Sequence, residues 1–341
     1  MSAAMPATAS PSSTEKLVSV VIPVYQGERF ILGAVQSALR QTHRALEVWV
    51  VDDGSTDATL ERLATVDDPR LHVLRQANLG VGAARNAGLA RARGRYVAFL
   101  DCDDRWLPRK IETELAVLER AAEPVAIAYS SHYAVDDRGR LLHASPVRRH
   151  MGGAFDLLID GEDFLMPSLC LFDRRIFDAV GTFDTRGYHE DHEFILRATR
   201  RFPIYSTCRR LAVYRQTIDG RCRRILNDYE AARNAELSLV SELGPLLSAS
   251  QARRLRDNVV RSLYVRFLMY GFDDHARRLV GEVDFAGSPR SVKGRLGWFF
   301  AKTGLNLIAP ARLTVQSFHR VATQGWWKRR LAAAGLDLRY D

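Results

Sequence analysis

Residues 17–57 read LVSVVIPVYQGERFILGAVQSALRQTHRALEVWVVDDGSTD, and this stretch decides the fold class. Its first eight residues form a β-branched run with little alternation, which is typical of a strand buried on both faces. Apolar side chains then recur at helical spacing over 30–41, which predicts a helix. A second strand over 46–51 runs directly into the acidic sequence at 52–57. This order predicts two parallel strands joined by a right-handed crossover.

The same alternation continues along the chain. It predicts strands over 71–74, 96–100, 125–129, 169–172 and 204–214, and helices over 82–93, 108–119, 174–180 and from 191 onward. After residue 228 the leucine spacing is helical. We therefore predict an α/β protein with a mostly parallel, Rossmann-like sheet that is flanked by helices and followed by a C-terminal helical region.

The pattern divides the chain into four parts. Residues 1–16 are small and polar and predict a disordered leader. An α/β domain over 17–225 follows, and then a helical region over 226–288, which we call the helical extension. Residues 289–341 form a separate segment, the basic tail.

The positive charge of the chain belongs to the basic tail. The whole sequence carries 49 Lys+Arg and 40 Asp+Glu, a net charge of +9. The basic tail alone has ten basic and two acidic residues, so the rest of the chain is nearly neutral at +1. A nucleic-acid enzyme would spread positive charge over its main domain, so nucleic acid is excluded as a partner. Basic and aromatic residues interleave in the tail, which favours either an anionic membrane surface or packing on the α/β domain.

The cysteine spacing and the hydropathy of the sequence indicate the cellular compartment of the protein. The four cysteines have no C-x-x-C spacing, which argues against a zinc site and against a disulfide framework. The N-terminal residues contain no apolar core of a signal peptide, and no run approaches about 18 apolar residues. We therefore expect a cytoplasmic protein, peripheral on the inner face of the cell membrane if the basic tail binds lipid.

Acidic clusters follow two of the predicted strands. Asp52 and Asp53 end the second strand, and Asp101 and Asp103 end the fourth. Ligands bind at the carboxyl ends of the strands in open α/β sheets, so both clusters should line one crevice. Mg²⁺ and Mn²⁺ prefer oxygen ligands and are commonly held by carboxylates together with substrate phosphates. Alone, each cluster would equally fit a solvated turn.

A glycine-rich segment lies between the two clusters, at 78–88. It lacks the Lys-Ser/Thr of a P-loop, and no G-x-G-x-x-G follows the first strand, which argues against a P-loop NTPase and against a dinucleotide oxidoreductase. Arg85 within it is suited to meet a phosphate or to hold the acidic site.

Four motifs in order resemble the signature of glycosyltransferase family 2. They are VSVVIPVY (18–25), VDDGSTD (51–57), NLGVGAARNAGLARARGRYVAFLDCDD (78–104) and GTFDTRGYHEDHEF (181–194). The resemblance implies a GT-A fold and the transfer of one sugar, with inversion, from a nucleoside-diphosphate sugar, with a UDP-sugar favoured. It also implies a divalent cation, Mn²⁺ or Mg²⁺. The Q-x-x-R-W string of processive synthases is absent.

The resemblance also assigns residues to roles. Those expected on the nucleotide side are Pro23, Val24, Tyr25, Glu28, Asp52, Asp53, Arg85, Asn86, Asp101 and Asp103. Within this set Asp53 would read the base, and Asp103, with Asp101, would hold the metal. Asp191 would be the catalytic base that removes the proton of the acceptor hydroxyl, with Glu190 as the reserve candidate.

Two pairs of positions near the motifs carry histidine or lack it. His189 and His192 flank the two acids, but their spacing is not H-E-x-x-H, so we assign them to the acceptor side or to structure. Many family members carry a histidine just after the position of Arg215, and this chain does not. Arg215, Arg221 or Arg223 are the candidates to replace it.

The expected acceptor is a glycan or a polyprenyl-linked glycan, in bacterial-type polysaccharide or cell-surface glycan synthesis. Two alternatives remain: a nucleotidyltransferase acting on sugar phosphates, and a non-catalytic scaffold on the same fold. The first should show a basic phosphate loop after the first strand, where this chain has YQGE at 25–28. The intact carboxylates Asp53, Asp101, Asp103 and Asp191 argue against the second.

Overall fold

The computed structural model describes residues 16–282, except for 122, 124, 163, 186–188, 217–224 and 271. Most of the predicted leader and the whole basic tail therefore lie outside the described residues. Arg221 and Arg223 lie outside them too. The boundaries proposed at 225 and 288 remain predictions.

Four parallel strands form the first half of the sheet. The strands are β1 (Val18–Val24), β2 (Leu46–Asp52), β3 (Leu71–Arg75) and β4 (Tyr96–Phe99), and the helices that follow the first three are α1 (Ile31–Leu39), α2 (Thr59–Leu63) and α3 (Val81–Arg91). β1 pairs with both β2 and β4, and β2 also pairs with β3. Each helix returns the chain to the end of the sheet at which the parallel strands begin, as the alternating pattern predicts.

The second half of the sheet has mixed strand directions. Its elements are β5 (Arg105–Trp106), α4 (Lys110–Leu118), β6 (Ile127–Val135), β7 (Leu141–Ala144), β8 (Met151–Gly152), α5 (Phe155–Ile159), β9 (Cys170–Asp173), α6 (Arg175–Val180), α7 (Glu190–Arg201) and β10 (Ile204–Arg215). The strand order is β3-β2-β1-β4-β9-β6-β10-β5, with β7 on β6 and β8 on β10. β9 is antiparallel to β4 and β6, whereas β10 is parallel to β6. The predicted α/β class is confirmed.

β6 runs beyond the strand predicted over 125–129. Its continuation begins with Ser130 and Ser131, polar residues that interrupt the apolar signal in the sequence. Ser130 is nevertheless fully buried, and its hydroxyl donates to Glu114 Oε1 at 2.7 Å. A buried hydrogen bond therefore takes the place of an apolar contact on this strand.

Two apolar layers cover the sheet, one on each face. In β1, Val21 faces the layer that contains α3 and α7, and Val20 and Ile22 face the layer that contains α1 and α4. All three are fully buried. Burying one such side chain stabilises the fold by about 1.5–3 kcal/mol, so β1 is central to the folded state.

Three further helices continue the chain within the helical extension. They are α8 (Tyr229–Leu243), α9 (Ala249–Tyr270) and α10 (Asp273–Glu282). Leu239 of α8 and Leu255 of α9 are buried in the same apolar layer as α7. Arg254 of α9 also forms ion pairs with Asp156 and Asp160 at α5, at 2.6 and 2.7 Å. No helix in the described part of the chain is long and apolar enough to span a membrane.

The parallel register brings both acidic clusters to one edge of the sheet. Val24 of β1 lies opposite Asp52 of β2, and the Asp53 N–H donates to the Val24 carbonyl at 2.8 Å. On the other side of β1, the Leu100 N–H donates to the Val21 carbonyl. The chain enters the second acidic cluster directly after Leu100, so the predicted crevice lies at the carboxyl ends of β1, β2 and β4.

Candidate functional site

The residues after β4 form a tight turn, which we call the acid turn (residues 101–104). The Asp104 N–H donates to the Asp101 carbonyl at 3.0 Å and closes the turn. Ser168 supports it from β9's side, because its Oγ accepts the Asp101 N–H at 3.0 Å and hydrogen-bonds the Asp104 carboxyl. The strand alternation ends here, so the carboxylates of Asp101 and Asp103 share one small region.

Arg215, at the end of β10, supports the acid turn through hydrogen bonds. Its N–H donates to Asp104 Oδ1 at 2.9 Å, and its Nε donates to the Asp103 carbonyl at 3.2 Å. Its Nη1 donates to the Asp136 carbonyl at 2.6 Å, and the guanidinium lies over the Phe30 ring. Arg215 is buried, and its contacts include the acid turn, the Asp136 carbonyl and the Phe30 ring.

Carboxylates crowd the acid turn and repel one another. Burial, and then the charge of Asp101, raise the pKa of the Asp103 carboxyl to about 6. Burial and the charge of Asp103 raise the pKa of Asp104 well above its usual value. Asp137, in the turn after β6, adds to the repulsion at Asp103. A bound cation would relieve this repulsion.

This donor set fits a hard divalent cation. Asp101 and Asp103 offer carboxylate oxygens, the ligands that Mg²⁺ and Mn²⁺ prefer. Within the described ranges, no group of three or more His, Cys, Asp or Glu side chains is arranged to hold a metal ion. A cation held by these two carboxylates would complete its coordination with water or with oxygens of a bound ligand.

Arg85 of α3 joins the acid turn to α7. Its Nη2 lies 2.9 Å from Asp101 Oδ1, and its Nη1 lies 3.2 Å from Glu190 Oε1. The Arg85 side chain is only 4% exposed. Burial disfavours a charged guanidinium, but the surrounding carboxylates, first of all Asp101, keep the pKa of Arg85 above its ordinary value. One buried cation thus holds carboxylates from two elements that are distant in sequence.

The neighbouring residues of α3 hold the segment that leads to α7. The Asn86 side chain accepts the Phe183 N–H at 3.0 Å and donates to the Phe183 carbonyl at 2.8 Å. A Cβ at Gly82 would overlap the carbonyl oxygen of Asp184, so glycine permits the close approach. Asn86, predicted on the nucleotide side, therefore contacts the segment before α7.

Glu190 and Asp191, which we call the carboxylate pair, open α7 and differ in environment. Glu190 is buried at 4% exposure and forms the ion pair with Arg85. Asp191 is half-buried, and its Oδ1 accepts the His192 N–H at 2.7 Å. The structure thus brings the pair, Arg85 and the acid turn into one charged cluster.

The acids at the end of β2 contact the protein's own backbone. Asp53 is buried; its Oδ1 accepts the Leu79 N–H and its Oδ2 the Gly80 N–H, each at 2.9 Å. Gln76 Nε2 donates to Asp53 Oδ1 as well, at 2.8 Å. Asp52 accepts the N–H of Ser55 at 3.1 Å. Both side chains shape the loops around the crevice.

The remaining nucleotide-side predictions lie around the end of β1. Pro23 and Val24 are buried in the strand, whereas Tyr25 is 47% exposed at the edge of the crevice. Glu28 accepts the Ala58 N–H at 3.1 Å and so braces the start of α2. Of these four residues, Tyr25 presents the largest accessible surface for a nucleoside.

Sequence reasoning missed the residues that support the charged cluster. Ser168 and Asp137 belong to no linear motif, and only the pairing of β6, β9 and β10 brings them to the acid turn. Glu236, which approaches His189, lies 45 positions beyond the carboxylate pair in a region predicted only as helical. An alternating apolar pattern locates strands, but it does not indicate which polar side chains meet across them.

Comparison with solved structures identifies the fold. The structure of Staphylococcus aureus TarS residues 1–349 in complex with UDP aligns with a TM-score of 0.56 and 19% identity. The alignment covers 89% of this chain and 91% of that one. The chain therefore has the GT-A fold of TarS, with a helical region after the sheet.

The sequence comparisons find similarity to glycosyltransferases. Residues 19–181 match the family model for glycosyl transferase family 2. An uncharacterized glycosyltransferase of Rickettsia prowazekii is 32% identical over 199 residues, covering 55% of this chain and 60% of the relative. The Escherichia coli UDP-Glc:alpha-D-GlcNAc-diphosphoundecaprenol beta-1,3-glucosyltransferase WfaP is 37% identical over 123 residues, covering 36% and 48%. The chain thus spans about half to three-fifths of the length of these curated relatives.

Proposed function

We propose that this chain transfers a single sugar, with inversion, from a UDP-sugar to a glycan or lipid-linked glycan acceptor, in a reaction that needs Mn²⁺ or Mg²⁺. The observation that carries the proposal is the buried contact of Arg85 with both Asp101 and Glu190. It joins the part of the crevice suited to a metal and diphosphate to the part suited to a base. The proposed sugar transfer requires the metal-bound diphosphate and the base to lie close to the same anomeric carbon.

Asp103 would hold the divalent cation, with Asp101 as the second carboxylate. The cation would neutralise the charge that develops on the departing nucleoside diphosphate. Arg215 and Ser168 fix the acid turn, so the two carboxylates are positioned before the donor arrives. On the nucleoside side, Tyr25 offers an exposed ring at the end of β1, and Asp53 holds the loop at residues 79–80.

Asp191 would act as the base. Its carboxylate accepts the proton of the acceptor hydroxyl while that oxygen forms a bond to the anomeric carbon. The bond from this carbon to the diphosphate oxygen breaks, and its electron pair leaves with the diphosphate. Attack opposite the leaving group inverts the configuration. Asp191 is favoured over Glu190 because it is half-buried, whereas Glu190 is buried and paired with Arg85.

The substrate classes rest on the relatives' names. TarS was solved with UDP, which supports a uridine nucleotide as the donor's leaving group. WfaP is named for transfer from UDP-glucose to a sugar linked to diphosphoundecaprenol, which supports a lipid-linked acceptor. Such an acceptor lies at a membrane, and the basic tail would suit binding at its anionic inner face.

The test is release of nucleoside diphosphate from UDP-, GDP- and dTDP-sugars, with Mn²⁺, Mg²⁺ or EDTA. We expect metal-dependent release of UDP, strongly reduced in Asp103→Ala and in Asp191→Asn. We also expect UDP with Mn²⁺ to raise the melting temperature of the wild type and of Asp191→Asn, but not of Asp103→Ala. Transfer that persists unchanged in Asp103→Ala contradicts the metal assignment, and transfer that persists in Asp191→Asn contradicts the base.

A further inference from the structure

The residue directly before the carboxylate pair contacts the helical extension. His189 occupies the N-cap position of α7, and the Glu193 N–H donates to its carbonyl at 2.8 Å. Its side chain is 12% exposed. The imidazole Nε2 lies 3.1 Å from Oε1 of Glu236, which belongs to α8. The start of α7 is therefore in contact with a carboxylate from outside the α/β domain.

Glu236 is a buried charge with a second partner. Its side chain is 5% exposed, and the same Oε1 forms an ion pair with Arg266 of α9. Burial alone favours the neutral acid, but Arg266 and His189 hold the pKa of the Glu236 carboxyl below its usual range. The carboxylate thus links α7, α8 and α9 at one point.

Apolar packing fixes α8 and α9 against α7. Phe194 and Ile195 of α7 are buried in the same core as Leu239 of α8 and Leu255 of α9. At α5, the Cβ that any other residue would add at Gly161 would overlap the side chain of Asn258, so α9 packs closely there. Glu236 is therefore presented to His189 from a closely packed pair of helices.

We propose that Glu236 is a positioning residue, which acts through His189 to fix the first turn of α7 and hence the direction of the carboxylate pair. The inference rests on the proposed function and extends it, because it makes the helical extension part of the catalytic apparatus. Arg85 holds the pair on the side of the acid turn, and Glu236 holds the residue before it on the side of the extension.

This arrangement has a specific consequence for the kinetics. Glu236 is not among the residues that would hold the nucleotide or the metal, so its loss should leave UDP affinity unchanged. The geometry of Asp191 toward the acceptor hydroxyl should suffer, and even a small misplacement of a reacting group slows catalysis strongly. We therefore expect a fall in kcat with little change in KM for the donor.

The experiment compares Glu236→Gln with Glu230→Gln in the full chain. Glu230 lies on the same helix and pairs with Arg278, but its side chain is 54% exposed. We expect Glu236→Gln to lower kcat at least tenfold, with UDP affinity by calorimetry within twofold of the wild type. Amide exchange over residues 189–196 should be at least threefold faster, whereas Glu230→Gln should change none of these.

Two further results decide the remaining cases. If Glu236→Gln does not fold, His189→Ala removes the same contact and leaves the ion pair of Glu236 with Arg266 in place. Equal kcat and equal exchange in the tested variant and in Glu230→Gln overturn the proposal. A wild type that binds UDP but transfers no sugar contradicts the proposed function instead, and the exchange comparison still decides whether Glu236 fixes α7.

Discussion

At the scale of single residues, Arg85 is the position on which the site depends most. It is the buried cation between Asp101 and Glu190. Removing it would take away an ion-pair partner from both carboxylates. Removing one partner of a buried ion pair lowers the free energy of unfolding by about 3 kcal/mol or more, because the remaining charge is no longer compensated. Stability and catalysis should therefore both respond to this residue.

We expect Arg85→Gln to lower the free energy of unfolding by about 3 kcal/mol and to lower kcat by about two orders of magnitude. The carboxylate pair would lose its fixed distance from the acid turn. Urea unfolding and UDP release measure the two effects. Arg91→Gln is the matched control, since Arg91 lies on the same helix and is exposed. Wild-type turnover in Arg85→Gln would show that catalysis does not need the contacts of Arg85 with Asp101 and Glu190.

At the scale of elements, α3 matters because its start lies against the segment that leads to α7. The closest approach is at Gly82, where the Asp184 carbonyl occupies the place of a Cβ. We expect Gly82→Ala to push Asp184 and Glu190 away and to lower kcat at least tenfold, with a loss of about 1–3 kcal/mol in stability. Gly153→Ala is the control, because a Cβ there meets nothing within 4 Å. Equal activity of the two variants would contradict the expectation.

β2 carries a buried charge far from the crevice. Glu47 accepts hydrogen bonds from Ser19 at 2.7 Å and from the backbone and side chain of Arg93. Burial opposes the charged form, but these donors hold the pKa of Glu47 below its usual value. A depressed pKa in the folded state stabilises the protein above the unfolded pKa of about 4.3, and this stability is lost as pH falls through the folded value.

We therefore expect Glu47→Gln to destabilise the protein by about 1–3 kcal/mol at pH 7, and the difference from the wild type to shrink as the pH falls below about 4. Urea unfolding at pH 7 and at pH 3.5 measures it. Glu61→Gln, at an exposed position on α2, should cost less than about 0.5 kcal/mol at either pH. A deficit of Glu47→Gln that is constant with pH would exclude the carboxylate as its cause.

At the scale of the whole molecule, the sequence predicts the parallel half of the sheet well and the support of the site poorly. The apolar runs of β1, β2 and β4 are local signals, and a polar residue within the next two positions marks the end of each run. The contacts of Arg85 with Glu190 and of His189 with Glu236 join residues 105 and 47 positions apart. Such contacts follow from the tertiary arrangement, so no local pattern predicts them.

The net charge of +9 lies almost entirely in the basic tail, where Trp326 and Trp327 precede Lys328, Arg329 and Arg330. Each basic residue near an anionic surface contributes about 1 kcal/mol to binding, and the attraction is screened by salt. We expect the full chain to co-sediment with phosphatidylserine-rich vesicles at low salt. Replacing the three basic residues by glutamate should weaken this at least tenfold and leave UDP affinity unchanged. Equal binding of both proteins would favour packing of the tail on the α/β domain.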